Sequence, residues 1–381
     1  MLLWTVIILN VLFFGLTHLP ATQRYIGSKV AEVAGEMLGT QVSIGRVDLG
    51  ILNRIIIDDV VIMDQRQQEM LRAARMSVSV DLLPLMDGKI SISSAQLFSA
   101  RFRLYRQNEA SPLNCQFLID SLASKDTTTQ KPLNLRINSL IVRHTNVVFD
   151  QYDKPQTEGL FNPAHLRLKE ISANINLKTL TDDSLNVNIK RFSFSEQSGL
   201  SVTSMGGHLE AGRQHAMLSN FKLQMPNSKL QIDTLTADYR LEDSRLQPGS
   251  LTFNGEIHNS HITPSDLRCF ESSLKNFQRP VSLLASINGT DRRINIPNLR
   301  LSTTENDLDV HVDGWLQDWQ SQPAWHLEMN RILMSESSID FLSKAIPDIP
   351  QEINRLGSLT PSGRFRKSTS SGETRKTTSK I

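Results

Sequence analysis

The chain has 381 residues, with 41 Lys plus Arg against 39 Asp plus Glu and a formal net charge of +2. It is longer than one compact core usually serves, and its near-balanced charge excludes a broad electrostatic footprint for nucleic acid. Only 6% of residues are aromatic, so base-stacking platforms are not an evident theme, and the two cysteines, Cys115 and Cys269, make neither a disulfide framework nor a zinc motif.

The first segment, "MLLWTVIILNVLFFGLTHLP", holds no Lys, Arg, Asp or Glu. At 1.5 Å per residue, roughly 18 helical residues reach about 27 Å, close to the thickness of a hydrocarbon core. Residues 1–20 therefore read as an uncleaved transmembrane anchor. A cleaved signal ending near "LPA" is the competing reading. No basic residue precedes the run, while Arg24 and Lys29 follow it, which opposes the usual charge bias for an exported C-terminal part. A missing start would explain this.

Next comes "TQRYIGSKVAEVAGEMLG", whose Ile26, Val30, Val33 and Met37 fall at helical spacing on one face, with Gly39 placed as a C-cap. The expectation is an amphipathic helix over 21–39. Its apolar face packs on the start of a sheet, the simpler reading, or lies against a membrane.

From Gln41 the period becomes two. A unit of apolar-x-apolar-x-x-apolar-x-apolar, then a turn and a second alternating run, recurs five times. Val42, Ile44, Val47 and Leu49 lead to Ile55 and Ile57. Ile90, Ile92, Ala95 and Leu97 lead to Phe102 and Leu104. Leu135, Ile137, Leu140 and Val142 lead to Val147 and Phe149. Val187, Ile189, Phe192 and Phe194 precede Leu200 and Val202. Ile294, Ile296, Leu299 and Leu301 precede Leu308, Val310 and Val312. In a strand, residues two apart share a face, so the extra residue in each unit demands a bulge if the apolar set is to stay on one side. One such unit cannot bury its own apolar face, but stacked units can. Irregular intervals between copies favour a long, curving antiparallel sheet over a short-period solenoid.

Helices interrupt this pattern at "NCQFLIDSLAS", at "TPSDLRCFESSLKNF" and at "SSIDFLSKAIPDIP". In the second, Thr263, Pro264 and Asp266 suggest a capping box and Leu267, Phe270, Leu274 and Phe277 an apolar face. The Ser/Thr-rich, basic stretch 367–381 reads as disordered. Cys115 and Cys269 read as small buried apolar side chains.

No catalytic grouping emerges, and no cofactor or metal is implied. His258 and His261 have no accompanying ligands. Asp58 and Asp59 read as a bend with one side chain outward. "SMGG" at 204–207 lacks a nucleophile-elbow setting. Asn288–Gly289 reads as a hairpin turn, and Gly314 likewise.

Three blocks carry a resemblance: "VSIGRVDLGILNRIIIDDVVIMDQRQQEMLRAARMSVSVDLLPLMDGKISISSAQLF", followed by "NCQFLIDSLASKDT" and "LNLRINSLIVR"; then "HITPSDLRCF" through "VSLLASINGTDRRINIPNLRLS"; and "SSIDFLSKAIPDIPQEINRLGSLTPSGRF". In their order along residues 1–366, the chain resembles the N-terminal portion of TamB-type translocation and assembly module proteins of the AsmA-like group, most like those of Bacteroidetes. The resemblance implies a mainly β fold: an N-terminal transmembrane helix, then a long curved, predominantly antiparallel sheet folded into an apolar-lined groove, with a few short amphipathic helices. The repeated-strand region would span 40–260 and helix-plus-strand units 261–366. It further implies a single-pass inner-membrane protein with its bulk in the periplasm, acting in outer-membrane biogenesis. Its partners would be phospholipid acyl chains, the inner membrane and the outer-membrane assembly machinery, with no nucleic acid.

Relatives of that kind continue to a C-terminal domain that meets the assembly machinery, whereas this chain ends in the low-complexity tail, as a truncated copy would. The expected groove lining is Ile90, Ile92, Leu97, Phe102, Leu104, Leu135, Ile137, Leu140, Val142, Val147, Phe149, Phe192 and Phe194. The expected function is non-enzymatic phospholipid conduction. The alternative is a membrane-anchored β-rich scaffold, or an assembly factor for outer-membrane proteins, without lipid transport.

Overall fold

A computed structural model describes residues 19–50, 53–80, 92–123, 138–181, 184–242, 245–303, 308–318, 324–335 and 363–367. The anchor read over 1–20 lies outside them except for its last two residues. The helix read at 337–350 and the tail beyond Lys367 lie outside them entirely. Among the described residues, no helix is long and apolar enough to cross a membrane. The chain is mainly β and divides into two compact units, Met1–Leu177 with Lys190–Gly199, and Lys178–Ile189 with Leu200–Ile381.

The first unit opens with α1, Pro20–Leu38. Pro20 occupies the first helical position, where a missing N–H is no loss. Gly39 closes the helix at φ 62, a conformation that suits glycine. The helix meets the sheet as expected, but with a different face. Gln23, Gly27 and Ala31 are buried, while Val30, Val33 and Met37 are exposed. A Cβ on Gly27 would lie 3.2 Å from the Arg46 Cα. Small residues four apart let the helix backbone approach the strands closely, and that contact turns the apolar stripe outward.

The strands β1 (Val42–Ser43), β2 (Arg46–Leu49), β3 (Arg54–Met63), β4 (Glu69–Val80), β5 (Ile92–Arg106), β6 (Ser139–Gln151) and β7 (His165–Thr181) follow. β1 and β2 both pair with β3, and pairing then runs in chain order to β7. All these pairs are antiparallel except β5–β6. A parallel neighbour needs a crossover, and α2 (Gln116–Ala123) lies within it, at the first interrupting helix read from the sequence. β8 (Ser184–Glu196) approaches β7 through Glu196, whose Oε1 accepts from Arg167 N–H at 3.2 Å.

In the second and third copies a left-handed residue lies where a turn was expected. Asp59, Ser99, His144 and Glu170 have φ of 56, 50, 51 and 53°. They lie at one height across β3, β5, β6 and β7, as the flanking pairs Asp58↔Arg75, Arg75↔Phe98, Phe98↔Arg143 and Thr145↔Ile171 show. So the chain does not reverse between Leu97 and Phe102, nor between Val142 and Val147. Each is one long strand with a left-handed step. "FSAR" and "RHTN" contain no glycine or proline to close a hairpin, and the step alone restores the apolar face. In the first and last copies the reversal stands, with β2 returning as β3 in antiparallel pairing.

The second unit contains β9 (Ser201–Ala211), β10 (His215–Gln224), β11 (Lys229–Asp238), the small hairpin β12–β13 (Leu241–Glu242, Arg245–Leu246), β14 (Thr252–Ile262), β15 (Val281–Thr290), β16 (Arg293–Ser302), β17 (Leu308–Gln317), β18 (Ala324–Met334) and β19 (Gly363–Lys367). Apart from the small hairpin, consecutive strands pair antiparallel. In the fifth copy the bulge sits where the spacing places it. Ile296 pairs Gly314 and Leu299 pairs Val312, three steps against two, with Pro297 in the irregular position that proline tolerates.

Three local readings are corrected here. The Thr263 capping box is absent: Pro264–Leu267 and Ser272–Asn276 are short 3₁₀ turns. Asp266 instead accepts from Asn227 N–H at 2.9 Å and from Ser228 Oγ at 2.7 Å, fastening the β10–β11 turn. Asn288–Gly289 lies inside β15, and the turn is Asp291–Arg292. Gly314 lies inside β17. A Cβ would come 2.0 Å from Arg293 O at Gly289 and 2.1 Å from His326 O at Gly314, so these glycines mark close cross-strand backbones rather than reversals.

Candidate functional site

Registers in the first unit assemble the alternating side chains into apolar rows that cross the strands. One row runs Ile55–Val78–Ala95–Leu140–Ile175, and the next Val47–Ile57–Met76–Leu97–Val142–Ala173. Beyond the line of left-handed residues the rows resume on the same face. Val42–Ile62–Leu71–Phe102–Val147–Leu168 is one, and Leu104–Phe149–Leu166 another. Leu97 and Phe102, five residues apart, both pack against the buried cluster of Val60, Leu71, Ala73 and Ala100. That is possible only because Ser99 reverses the alternation between them.

The structure thus brings Leu97 beside Val142, Phe102 beside Val147, and Leu104 beside Phe149. Leu140 stands beside Ala95. Phe192 and Phe194 lie together in β8 with ring centroids 5.6 Å apart. Ile92 starts β5, while Ile90, Leu135 and Ile137 lie outside the described residues. The seven side chains of β5 and β6 and the two phenylalanines are half-buried rather than buried. They shield one another yet retain an accessible surface.

Sequence reading leaves out Ile62, Leu71, Met76, Val78, Leu166, Leu168, Ala173 and Ile175, which complete these rows. The signal was present as alternation in "MLRAARMSV", but the phase change around Ala74 hid it.

The polar rim is strongly ionised. Asp150 accepts from His165 Nδ1 at 2.8 Å and from Arg167 Nη2 at 2.8 Å. Burial pushes the Asp150 carboxyl up, but these hydrogen bonds outweigh it and hold it below the usual aspartate value. The Asp150 carboxylate in turn raises His165 above the ordinary 6.5. Arg106 donates to Gln151 Oε1 at 2.6 Å, with its guanidinium 5.9 Å from the Phe149 ring centroid. Nothing in this arrangement resembles a nucleophile poised on a base. His258 stands 3.7 Å from both Asp233 and Glu256, and among the described residues no three His, Cys, Asp or Glu side chains gather as metal ligands. The sheet thus carries apolar rows on one face and ionised groups beside them.

No protein-family model, curated protein or solved structure matches the chain.

Proposed function

We propose that the chain is a membrane-anchored, non-enzymatic carrier that conducts phospholipid acyl chains along an apolar sheet face, a TamB-type conduit of outer-membrane biogenesis. One observation carries the reading: apolar rows, buried at Val47, Leu71 and Ala173 and half-buried at most other positions, cross up to six strands without a polar interruption. Strands lie about 4.8 Å apart, so the six crossed by a row in the first unit offer roughly 24 Å of apolar track. An acyl chain sliding along it stays out of water, which is favourable in proportion to the apolar area covered. The headgroup stays in solvent beside the ionised rim. No reaction and no nucleotide is required. The apolar segment before α1 supports an inner-membrane anchor, the exposed Val30–Val33–Met37 stripe supports a nearby membrane, and the strands would then stand in the periplasm.

The test is photo-crosslinking in cells, with a photoreactive residue at Phe102 or Phe149 and a control at Arg103, which points to the opposite face. Phospholipid adducts at the first two positions alone are expected. Adducts to protein alone at all three positions would overturn the conduit and leave a packed scaffold.

A further inference from the structure

On the opposite, polar face of β2–β4, α1 and the strands border an open cleft of about 510 Å³. Three guanidiniums reach it: Arg24 from α1, Arg46 from β2 and Arg75 from β4. Asp58 and Asp59 share the lining. Asp58 is only 7% exposed and grips two of the arginines by their Nε atoms. Its Oδ1 takes Arg75 Nε at 2.7 Å and its Oδ2 takes Arg46 Nε at 2.7 Å, with Arg75 Nη2 at 3.3 Å. Among the described residues, both Arg46 Nη atoms and Arg75 Nη1 have no acceptor. Arg24 makes no hydrogen bond or ion pair there either.

The arrangement is therefore more than a surface ion pair. A buried carboxylate fixes two guanidiniums from behind and leaves their forward N–H groups unused. Hydrogen bonds from Arg75 hold the Asp58 carboxyl below the usual aspartate value, so the clamp stays charged at neutral pH. Gly45 sits close against Asp59: a Cβ there would lie 2.9 Å from the Asp59 Cβ. The lining carries three guanidiniums and two carboxylates, and the Asp48 carboxylate also acts on Arg75; what the cleft offers is the unused N–H donors. Guanidiniums pair with phosphate oxygens through paired, planar N–H donors, and a phosphodiester carries a single negative charge.

We propose that this cleft binds a phosphodiester monoanion, the chemistry of a glycerophospholipid headgroup. The inference rests on the cleft and, for its headgroup source, on the proposed membrane anchor, and is independent of the apolar rows. Its position fits a headgroup source, because α1 follows directly on a segment, Met1–Leu19, with no Lys, Arg, Asp or Glu.

The test uses the full chain in nonionic detergent and calorimetric titration with glycerophosphoglycerol, a headgroup without acyl chains, and separately with inorganic phosphate. Saturable one-site binding of glycerophosphoglycerol, tighter than that of phosphate, is expected. Arg24→Gln should weaken it about tenfold, the scale of one charge-assisted hydrogen bond, without lowering the melting temperature, since Arg24 supports no other group. Arg101→Gln, outside the cleft, should change nothing. Equal or tighter phosphate binding would overturn the phosphodiester assignment in favour of free phosphate. No binding, an unaffected Arg24→Gln, or equal losses in both variants would overturn the site. Because the probe has no acyl chains, its failure leaves the lipid-track reading untouched.

Discussion

Asp64 shows how much one residue organises. It is 1% exposed, and its carboxylate accepts from Arg66 N–H at 2.8 Å, Gln68 N–H at 2.9 Å and Tyr105 Oη at 2.6 Å. It thereby shapes the β3–β4 turn and ties it to β5, a strand remote in sequence. Burial pushes the Asp64 carboxyl up, but these bonds outweigh it and hold it below the usual value. Burial, reinforced by Asp64, pushes the Tyr105 hydroxyl up to about 12. Asp64→Ala strands three donors, so we expect a loss of about 2–4 kcal/mol in urea unfolding.

The titrating groups also set a pH dependence. Asp58, Asp64 and Asp150 are lowered from 3.8, so the stability they confer is present above 3.8 and drains as pH falls through their folded values. His165 is raised from 6.5, so its contribution is full below 6.5 and is lost as pH rises through its folded value. Melting temperature should therefore fall on the acid side below about pH 4. It should also decline slightly above pH 6.5, a decline that His165→Gln removes.

At the scale of elements, the left-handed line across β3, β5, β6 and β7 is the feature on which the apolar rows depend. Each non-glycine residue there pays a conformational penalty of about 1 kcal/mol. Ser99→Gly should therefore raise unfolding stability by roughly 0.5–1 kcal/mol, while Ser99→Val should lower it. Equal stability of the two variants would mean that the step is not held left-handed. Gly314 is the converse case. Gly314→Ala forces a methyl against the His326 carbonyl and should destabilise by about 1–3 kcal/mol.

Across the molecule, the proposed function depends on continuity of the rows rather than on any one side chain. Leu104 lies outside the buried cluster of Val60, Leu71, Ala73 and Ala100, so Leu104→Glu should leave folding nearly intact. It would put a charge on the track between Phe102 and Phe149, and lipid adducts at Phe149 should fall severalfold. Unchanged adducts would show that acyl chains do not pass along this row.

Much of this was written in the alternation itself. The period of two sorted each strand into an apolar and a polar face, because successive side chains must point to opposite sides. The extra residue at Pro297–Asn298 placed its bulge, Gly39 placed the end of α1, and the short helix at Gln116–Ala123 was legible from its apolar spacing. Only the tertiary structure decided whether a break in alternation was a turn or a left-handed step, since Ser99 and His144 carry no glycine-like signature and their conformation is held by neighbouring strands. It alone decided which face of α1 meets the sheet, because the close approach at Gly27 outweighs the pull of Val30 and Val33. It also drew Arg24, Arg46 and Arg75 around Asp58, residues spread over three elements whose meeting depends on register, which no local spacing encodes.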